Sequence, residues 1–331
     1  MPHLLTGIAS RHDNAMKPIN PGMLECIVAI AEEGGVQRAA ARLGLTQSAV
    51  SQRLSGLEAH VGMVLFVRHR PTRLTPAGEA LLRHARQVQI LSEQFLRELR
   101  GIAPEAQEQH ETIAIAASLD DAAGWAWPAF DRLMGMGVDL SIVPAGNALA
   151  MELLGKGDVQ GCIAFAPKAV RSCKTVRLGA VDFIAVATPG HALALRAGAT
   201  PLHAARLLVA CREDLAAADL AAAIPGLDPA APHCCVLPSP DIRHRTLLAG
   251  AGVGIVPAAS VAQPLACGDL VNAYPAFVLR REVYWSRWNI ASTLLDLLDQ
   301  ELQRAFPVQH DDLGLADLAL GDLREDAAVH A

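Results

Sequence analysis

AAARLGLTQSAVSQRL, residues 39–54, is the stretch of the chain that decides its N-terminal fold. Two apolar faces repeat at helical spacing within and just after it: Ala39, Ala40 and Leu43, then Val50, Leu54 and Leu57. Thr46 lies between the two faces and has the side chain of a helix N-cap. We therefore expect two short helices that are joined by a tight turn and pack on each other.

The second predicted helix is polar on the side opposite its apolar residues. Near its start it carries compact hydrogen-bonding side chains and one cation: Thr46, Gln47, Ser48, Ser51, Gln52 and Arg53. Such side chains at a helix start suit contacts with base edges in the major groove of DNA. A small helical hairpin buried inside a core is the alternative that the pattern alone leaves open.

A short hairpin with a proline in its tip is predicted at residues 65–74, LFVRHRPTRL. Three arginines flank its turn: Arg68, Arg70 and Arg73. Between residues 36 and 75 the chain has six arginines and a single acid, Glu58, although its formal net charge is -6. Positive charge concentrated in this way is typical of a surface that binds phosphates, and the hairpin has the character of a wing.

A long helix is predicted directly after the wing. Thr75 is a suitable cap, Pro76 suits the first helical position, and Glu79 places an acid in the first turn. Apolar residues then recur along one side: Leu81, Leu82, Val88, Leu91, Phe95 and Leu99. A helix over residues 76–101 would be roughly 35 Å long. We interpret it as a dimerisation helix, with an ordinary core helix as the alternative.

Taken together, these motifs resemble the LysR-type transcriptional regulators, over residues 21–306. The matching positions follow one another in the family's order: 39–40, 43, 47–51, 57–58, 62, 65–66, 68 and 74–78. The resemblance implies a winged helix-turn-helix at residues 21–75 and a linker helix at 76–101. It implies binding to double-stranded promoter DNA as a homodimer or homotetramer, with contact to RNA polymerase.

The resemblance also divides the DNA contacts between two groups of residues. The implied base-reading residues are Gln47, Ser48, Ser51 and Gln52. The residues implied to hold phosphates or to enter the minor groove are Arg53, Arg68, Arg70 and Arg73.

Strands and helices alternate beyond a polar joint at residues 101–111. Strands are predicted at 112–117, 138–143, 160–165, 181–188, 207–211, 234–237 and 282–285. Helices are predicted at 121–136, 147–154, 213–224, 241–249 and 291–306, with Asn147 as a cap. This alternation predicts an α/β domain with a parallel sheet and a ligand site beyond the carboxyl ends of its strands.

The resemblance implies that this α/β domain is a two-lobed effector-binding domain of the type 2 periplasmic-binding-protein kind, at residues 112–306. Lobe I would comprise 112–182 and 269–306, and lobe II 183–268, so that the segments near 181–188 and 282–285 cross between lobes. A flexible extension at 1–20 and an acidic tail at 307–331 complete the predicted organisation.

Polar residues at the predicted strand ends are candidates for effector binding: Ser118, Asp120, Asp121, Asn147, Thr188, Ser239 and Asp241. Asp120 is the preferred partner for an ammonium group, because an ammonium that leaves water needs a compensating carboxylate. For Asp121 and Asp241, capping of a helix start is an equally open interpretation.

Within the family, residues 125–128, 178–183 and 280–288 are similar to the activators of arginine and lysine export genes. That closer resemblance implies a basic amino acid, such as lysine or arginine, as effector and an amino-acid exporter gene as target. The chain departs from it at residues 144–147, PAGN, where the resemblance implies acids. A LysR-type regulator of another metabolite pathway therefore stays open.

Composition and motifs exclude several other classes of protein. Apolar residues make up 52% of the chain but form no run of ~20, so we expect no membrane span. The first 20 residues lack the apolar core of a signal peptide, which favours a cytoplasmic protein. The seven cysteines form no C-x-x-C pair, and we expect no metal and no cofactor. A two-lobed solute-binding module or enzyme is the remaining alternative, although no catalytic motif supports it.

Overall fold

The computed structural model describes residues 19–67, 72–102, 111–165, 170, 172–196, 206–210 and 233–306. The predictions made for Arg68, Arg70, the helix at 213–224 and the tail at 307–331 lie outside the described residues, as does most of the N-terminal extension. The chain divides into two compact units, residues 1–106 and 107–331, which we call unit 1 and unit 2.

The described part of unit 1 is helical apart from one short hairpin. Its elements are α1 (Pro21–Glu33), α2 (Val36–Arg42), α3 (Gln47–Val61), β1 (Phe66–Val67), β2 (Arg73–Leu74) and α4 (Pro76–Ile102). Helix α1 was not predicted individually. Its start is defined by Asn20, whose side-chain oxygen accepts a hydrogen bond from the Gly22 amide at 2.8 Å. It ends at Gly34, which adopts a left-handed φ of 68°.

The helix-turn-helix predicted from residues 39–54 is confirmed. Both predicted apolar faces belong to one core of unit 1, in which Ala39, Val50 and Leu57 have no exposed surface. Thr46 caps α3 as expected, because its hydroxyl accepts a hydrogen bond from the Ala49 amide at 3.2 Å. Gly44 supplies the tight turn between α2 and α3 with a φ of 64°.

The wing is an antiparallel pair of strands, in which Phe66 lies opposite Leu74. Two side chains tie its base to the helices. The Glu58 carboxylate of α3 accepts a hydrogen bond from the Leu65 amide at 2.8 Å. The Thr75 hydroxyl donates to the Val64 carbonyl at 2.7 Å and accepts from the Gly78 amide at 3.1 Å. Thr75 thus caps α4, as predicted, and also fixes the wing against its first turn.

Unit 2 contains alternating strands and helices, as the sequence predicted. Its first half comprises β3 (Glu111–Ala117), α5 (Leu119–Ala123), α6 (Trp127–Gly135), β4 (Val138–Pro144), α7 (Asn147–Lys156), β5 (Gly161–Phe165) and β6 (Cys173–Ala187). Next come α8 (Pro189–Arg196), β7 (Leu207–Val209), β8 (Cys234–Val236), α9 (Pro240–Leu248) and β9 (Val253–Pro257). The last elements are α10 (Ala262–Cys267), β10 (Val271–Asn272), β11 (Val278–Trp288) and α11 (Thr293–Ala305).

The described strands of unit 2 form one sheet in the order β4-β3-β5-β11-β6-β9-β7-β8, with β10 paired to β6. Strand β3 is parallel to both β4 and β5, and β7 is parallel to both β8 and β9. Strands β6 and β11 join these two parallel groups and pair antiparallel along their length. The expected α/β fold class is confirmed, but the sheet is mixed and not parallel throughout, because β6 and β11 run antiparallel to their neighbours.

The two parallel groups have separate hydrophobic cores. Lobe I packs α6 and α11 on its strands around Phe130, Trp285 and Leu298, which are all fully buried. Lobe II has its core around β7 and β9, with Leu207 and Val253 among its buried residues. Two cores connected by β6 and β11 form two lobes. Because ligands of parallel sheets bind beyond the carboxyl ends of the strands, we expect a ligand between those ends of the two parallel groups.

Three sequence predictions in unit 2 were wrong in detail. The single helix expected at 121–136 is two helices, because the backbone leaves the helical region at Gly124, with ψ -117°, and α6 restarts beside Pro128. Asn147 is the first residue of α7, and Gly146 occupies the N-cap position. Strand β6 begins near residue 173 rather than 181, since its first half pairs with β11 through polar contacts such as Thr175 Oγ1 to Ser286 Oγ at 2.9 Å.

Candidate functional site

The outward face of α3 carries the polar side chains that the sequence assigned to base readout. Gln47, Ser48 and Gln52 are exposed, and Ser51 is partly buried. Gln47 and Ser48 lie in the first turn of the helix, where the Thr46 hydroxyl is 3.0 Å from that of Ser48. The buried face of α3 holds Val50 and Leu57, so these polar side chains are left for an external partner.

The cations near α3 differ in their availability for phosphate. Arg53 is partly buried, and its Nη1 donates to the Gly22 carbonyl at the start of α1, at 3.5 Å. Arg73 is exposed on the wing. Arg42 is compensated, because its Nη1 lies 2.5 Å from Glu32 and 3.5 Å from Glu33. The six arginines counted over residues 36–75 therefore overstate the free positive charge, because Glu32 and Glu33 lie just before that range.

Helix α4 leaves a row of large apolar side chains in solvent over its second half: Leu91, Phe95, Leu96 and Leu99, with exposed fractions of 41%, 58%, 48% and 46%. Val88, Leu91, Ser92, Phe95 and Leu96 line a shallow depression on the same surface. A continuous apolar row of this kind is typical of a helix that packs against another protein surface.

In unit 2, the end of β3 leads into a compact hydrogen-bond cluster. Ser118 caps α5, and its hydroxyl donates to Asp121 Oδ2 at 2.6 Å. The other Asp121 oxygen accepts from Trp125 Nε1 at 2.9 Å. Asp121 therefore does not cap α5 itself, and the alternative that made it the cap was wrong. With 6% exposure, it fixes the α5 to α6 connection from inside lobe I.

Burial raises the pKa of Asp121, while hydrogen bonds from Ser118 and Trp125 partly offset that rise. A carboxyl whose pKa is raised in the folded state stabilises the fold below its unfolded pKa, and this contribution is lost as pH rises through the folded pKa. We expect Asp121→Asn, whose single amide oxygen can still accept from Trp125 Nε1, to gain stability relative to the wild type as pH rises. Urea unfolding at mildly acidic and neutral pH measures this difference.

The exposed Asp131→Asn on α6 is the matched control for Asp121→Asn. It makes the same chemical change on a solvent-facing carboxyl of the same lobe. Its stability difference from the wild type, measured over the same pH range, is the reference. An equal pH dependence of the two differences would mean that burial does not control the ionisation of Asp121.

Asp120, the preferred ammonium ligand, lies next to Asp121 but points to a different partner. Its Oδ1 pairs with Nη2 of Arg243, a residue of α9 in lobe II. Arg243 is only 3% exposed, and its Nη1 also donates to the carbonyl of Leu237 at 2.8 Å. Leu237 directly follows β8. The ion pair therefore connects the end of β3 in lobe I with the end of β8 in lobe II.

The other predicted effector residues lie at the starts of helices or in loops. Ser239 caps α9 by accepting from the Ile242 amide at 3.4 Å, so Asp241, exposed in the first turn, is not the cap that the alternative proposed. Thr188 follows β6 and lies against the turn at Gly250. Asn147 is exposed at the first position of α7.

Arg243 is the site residue that sequence reasoning missed. A faint signal was available, since Arg243 lies four residues before the fully buried Leu247 and so shares its helix face. That spacing places a guanidinium on the inward side of α9. The partner on α5 is 123 residues away in the chain, and no local pattern specifies it.

Over the described ranges, no group of three or more His, Cys, Asp or Glu side chains is arranged to hold a metal ion. None of the described helices combines the length and apolar content that a membrane crossing requires.

Comparison with known families relates each of the two units to a known domain. Residues 22–79 match the bacterial regulatory helix-turn-helix protein, lysR family, and residues 106–287 match the LysR substrate binding domain. This chain belongs to the LysR family of transcriptional regulators. It is a DNA-binding regulator with an N-terminal helix-turn-helix and a C-terminal effector-binding domain, as the resemblance implied.

Individual relatives within this family are similar to the chain over most of its length. The HTH-type transcriptional regulator ArgP of Pseudomonas fluorescens strain Pf0-1 is 31% identical over 291 residues, covering 86% of this chain and 95% of that protein. The crystal structure of ArgP from Mycobacterium tuberculosis has a TM-score of 0.77 and 29% identity, covering 87% of this chain and 97% of that one. Full-length LysG from Corynebacterium glutamicum with bound effector Arg has a TM-score of 0.73 and 28% identity, covering 86% and 97%.

Proposed function

We propose that this regulator senses a basic amino acid, lysine or arginine, and controls the promoter of an amino-acid exporter gene. The similarity to LysG with bound Arg is the observation that carries this proposal. The position of Asp120 supports it, because a carboxylate at the end of β3 is chemically suited to an ammonium group. As a promoter-binding protein, it would act in the cytoplasm.

For DNA recognition, we propose the two groups of contact residues that the sequence indicated, one for bases and one for the DNA backbone or minor groove. Gln47, Ser48, Ser51 and Gln52 read base edges from the outward face of α3, and Thr46 fixes the start of that helix. Arg53 and Arg73 hold phosphates or enter the minor groove, together with Arg68 and Arg70, which lie outside the described residues. The exposure of Gln47, Ser48, Gln52 and Arg73 supports this assignment.

Two substitutions separate base readout from phosphate binding. Arg73→Ala should weaken binding to every DNA sequence and lower the salt slope by about 1, because one phosphate contact is lost. Gln47→Ala should instead reduce the preference for the operator over scrambled DNA, by about 1 to 3 kcal/mol if the contact is bidentate. Mobility-shift titrations over a salt series measure both effects.

Lys156→Ala in unit 2 is the control for charge, because it removes one half-exposed cation, paired with Glu152, far along the chain from the helix-turn-helix. It should leave the salt slope unchanged. If Arg73→Ala and Gln47→Ala matched the wild type on every probe, the assigned DNA-binding face would be wrong.

We propose that the protein acts as a homodimer or homotetramer, with α4 of one copy packed against a second copy. The exposed row of Leu91, Phe95, Leu96 and Leu99 supports this, because apolar surface of that extent is costly to leave in water. Paired helix-turn-helix units would then enter successive major grooves of a partly palindromic site.

Regulation would follow from closure of the lobes on the effector. A ligand shifts an equilibrium only to the extent that it binds one arrangement more tightly. Closure would change the arrangement of the DNA-binding units and hence DNA bending or contact with RNA polymerase.

A thermal-shift screen of the full-length protein tests the effector class. The panel holds lysine, arginine and histidine with neutral and acidic metabolites. A ligand at ~100 times its dissociation constant adds about 2.7 kcal/mol of stability. Stabilisation by lysine or arginine is the expected result, and stabilisation by an unrelated metabolite alone would overturn the proposed effector.

A second candidate, another metabolite as effector, is favoured by one feature of the chain. The loop after β4, residues 144–147, has the sequence PAGN and supplies no acid for a cationic side chain. The same thermal-shift panel distinguishes this candidate.

A further inference from the structure

Asp120 and Arg243 form the one ion pair among the described residues in which a side chain of α5 meets a side chain of α9. The Arg243 side chain is 3% exposed and that of Asp120 is 22% exposed, so both charges are largely removed from water. The carbonyl of Leu237 holds the guanidinium from the lobe II side at 2.8 Å. Two opposite charges, one from each lobe, therefore face each other where the strand ends of the two lobes converge.

Removing one member of such a pair is costly, because the other charge is left buried without a partner. A ligand that carries only a cation would take Asp120 and leave Arg243 uncompensated. A ligand that carries only a carboxylate would take Arg243 and separate it from Asp120. A ligand with both groups exchanges one ion pair for two and leaves neither charge alone.

We propose that Asp120 and Arg243 bind the backbone groups of an α-amino acid: its ammonium lies on Asp120 and its carboxylate on Arg243. In the absence of ligand the two residues pair with each other. This assignment rests on the proposed function in that it takes an amino acid as effector, and it makes Arg243 a binding residue that the sequence did not indicate.

The assignment explains two other features of the site. A zwitterion held between α5 and α9 contacts both lobes, so its binding favours the arrangement in which the lobes are close. The acid-free loop at residues 144–147 also ceases to be an obstacle, since the charged groups common to all α-amino acids need no acid there. Recognition of the ligand's side chain is then independent of recognition of its ammonium and carboxylate.

Isothermal titration calorimetry on the full-length protein tests the proposal with matched ligands. Arginine is compared with agmatine and lysine with cadaverine, since each second compound lacks the carboxylate and keeps the cationic side chain. Neutral α-amino acids complete the panel. We expect binding of an α-amino acid and a loss of about 30-fold or more when its carboxylate is removed, because Arg243 would then stay unpaired.

Variants of the protein provide the second arm. Asp120→Asn and Arg243→Gln should each weaken amino-acid binding by about 30-fold or more. The double variant Asp120→Asn/Arg243→Gln removes both charges, so it should unfold as cooperatively as the wild type and bind as weakly as the single variants. The control is Arg177→Gln, which breaks the exposed Arg177–Glu282 pair between β6 and β11 and should bind like the wild type.

The possible outcomes distinguish failure of the zwitterion site from failure of the proposed basic effector. Binding of neutral α-amino acids but not of lysine or arginine would refute the basic effector and leave the zwitterion site standing. Equal binding of arginine and agmatine, or wild-type affinity in Arg243→Gln, would refute the zwitterion site and leave the basic effector standing. Absence of binding to every α-amino acid would overturn both.

Discussion

Replacing Asp299 by alanine is expected to destabilise unit 2 by about 3 to 5 kcal/mol, because it removes the buried carboxylate that pairs with a buried guanidinium and leaves only the solvent-exposed Asp296 as its partner. Arg287 is 3% exposed, and its Nε and Nη2 donate to the two Asp299 oxygens at 3.0 Å and 2.9 Å. Trp285 Nε1 donates to the same carboxylate at 2.7 Å, and Lys174 Nζ at 3.0 Å. Asp299 thus joins α11 to β6 and β11, the strands shared by both lobes. Chemical unfolding followed by circular dichroism measures the loss.

Asp296→Ala is a stringent control for this prediction. Asp296 lies on the same helix and contacts the same Arg287 Nη2 at 2.5 Å, but its side chain is 59% exposed. An ion pair in solvent contributes about 0 to 1 kcal/mol, so its loss should be small. Equal effects of the two substitutions would show that burial of the Asp299 pair is not what stabilises this junction.

The Asp299 contribution should also depend on pH. Burial alone would raise the pKa of Asp299, but hydrogen bonds from Arg287, Lys174 and Trp285 outweigh it and lower the pKa below its ordinary value. A carboxyl with a lowered folded pKa stabilises the fold above its unfolded pKa, and that stabilisation disappears as pH falls through the folded pKa. The difference between wild type and Asp299→Ala should therefore shrink in acid. A difference independent of pH would contradict this.

Phe95→Glu is expected to weaken association of the protein with itself by about 100-fold, because a carboxylate would be buried without a partner in the apolar row of α4. Phe95 is 58% exposed in the isolated chain, so the substitution adds no charge to the core of unit 1. Sedimentation equilibrium measures the change in association. DNA binding should weaken with it, since a dimer engages two half-sites at once.

Glu93→Lys is the matched control on the same helix. Glu93 is exposed and lies two residues before Phe95, on a different side of α4, so a changed charge there should leave the oligomeric state unchanged. An unaltered oligomer in Phe95→Glu would show that α4 does not form the subunit interface.

Local signals explain why unit 1 was predictable in detail. Thr46 and Thr75 cap helices through amides three residues ahead, and such contacts depend only on neighbouring sequence. The apolar faces of α2 and α3 likewise follow from spacing. The compensation of Arg42 by Glu32 escaped notice because the two residues belong to different helices.

Unit 2 was predictable as an alternation of elements but not as a site. Strand ends located Asp120 and Ser239, since ligands of parallel sheets lie beyond those ends. The Asp120–Arg243 pair depends on how α5 and α9 meet in three dimensions, and residue spacing along the chain contains no such information. The early part of β6 was missed for the same reason: its polar residues are stabilised by partners on β11.

The decisive test is whether this protein binds DNA selectively and responds to a basic amino acid. It uses fluorescence anisotropy of a labelled DNA fragment from upstream of the protein's own gene, with and without arginine or lysine. A scrambled fragment of equal length serves as the reference. We expect salt-sensitive, sequence-selective binding whose affinity or stoichiometry changes when the amino acid is added. Equal affinity for both fragments, unaffected by either amino acid, would contradict this expectation.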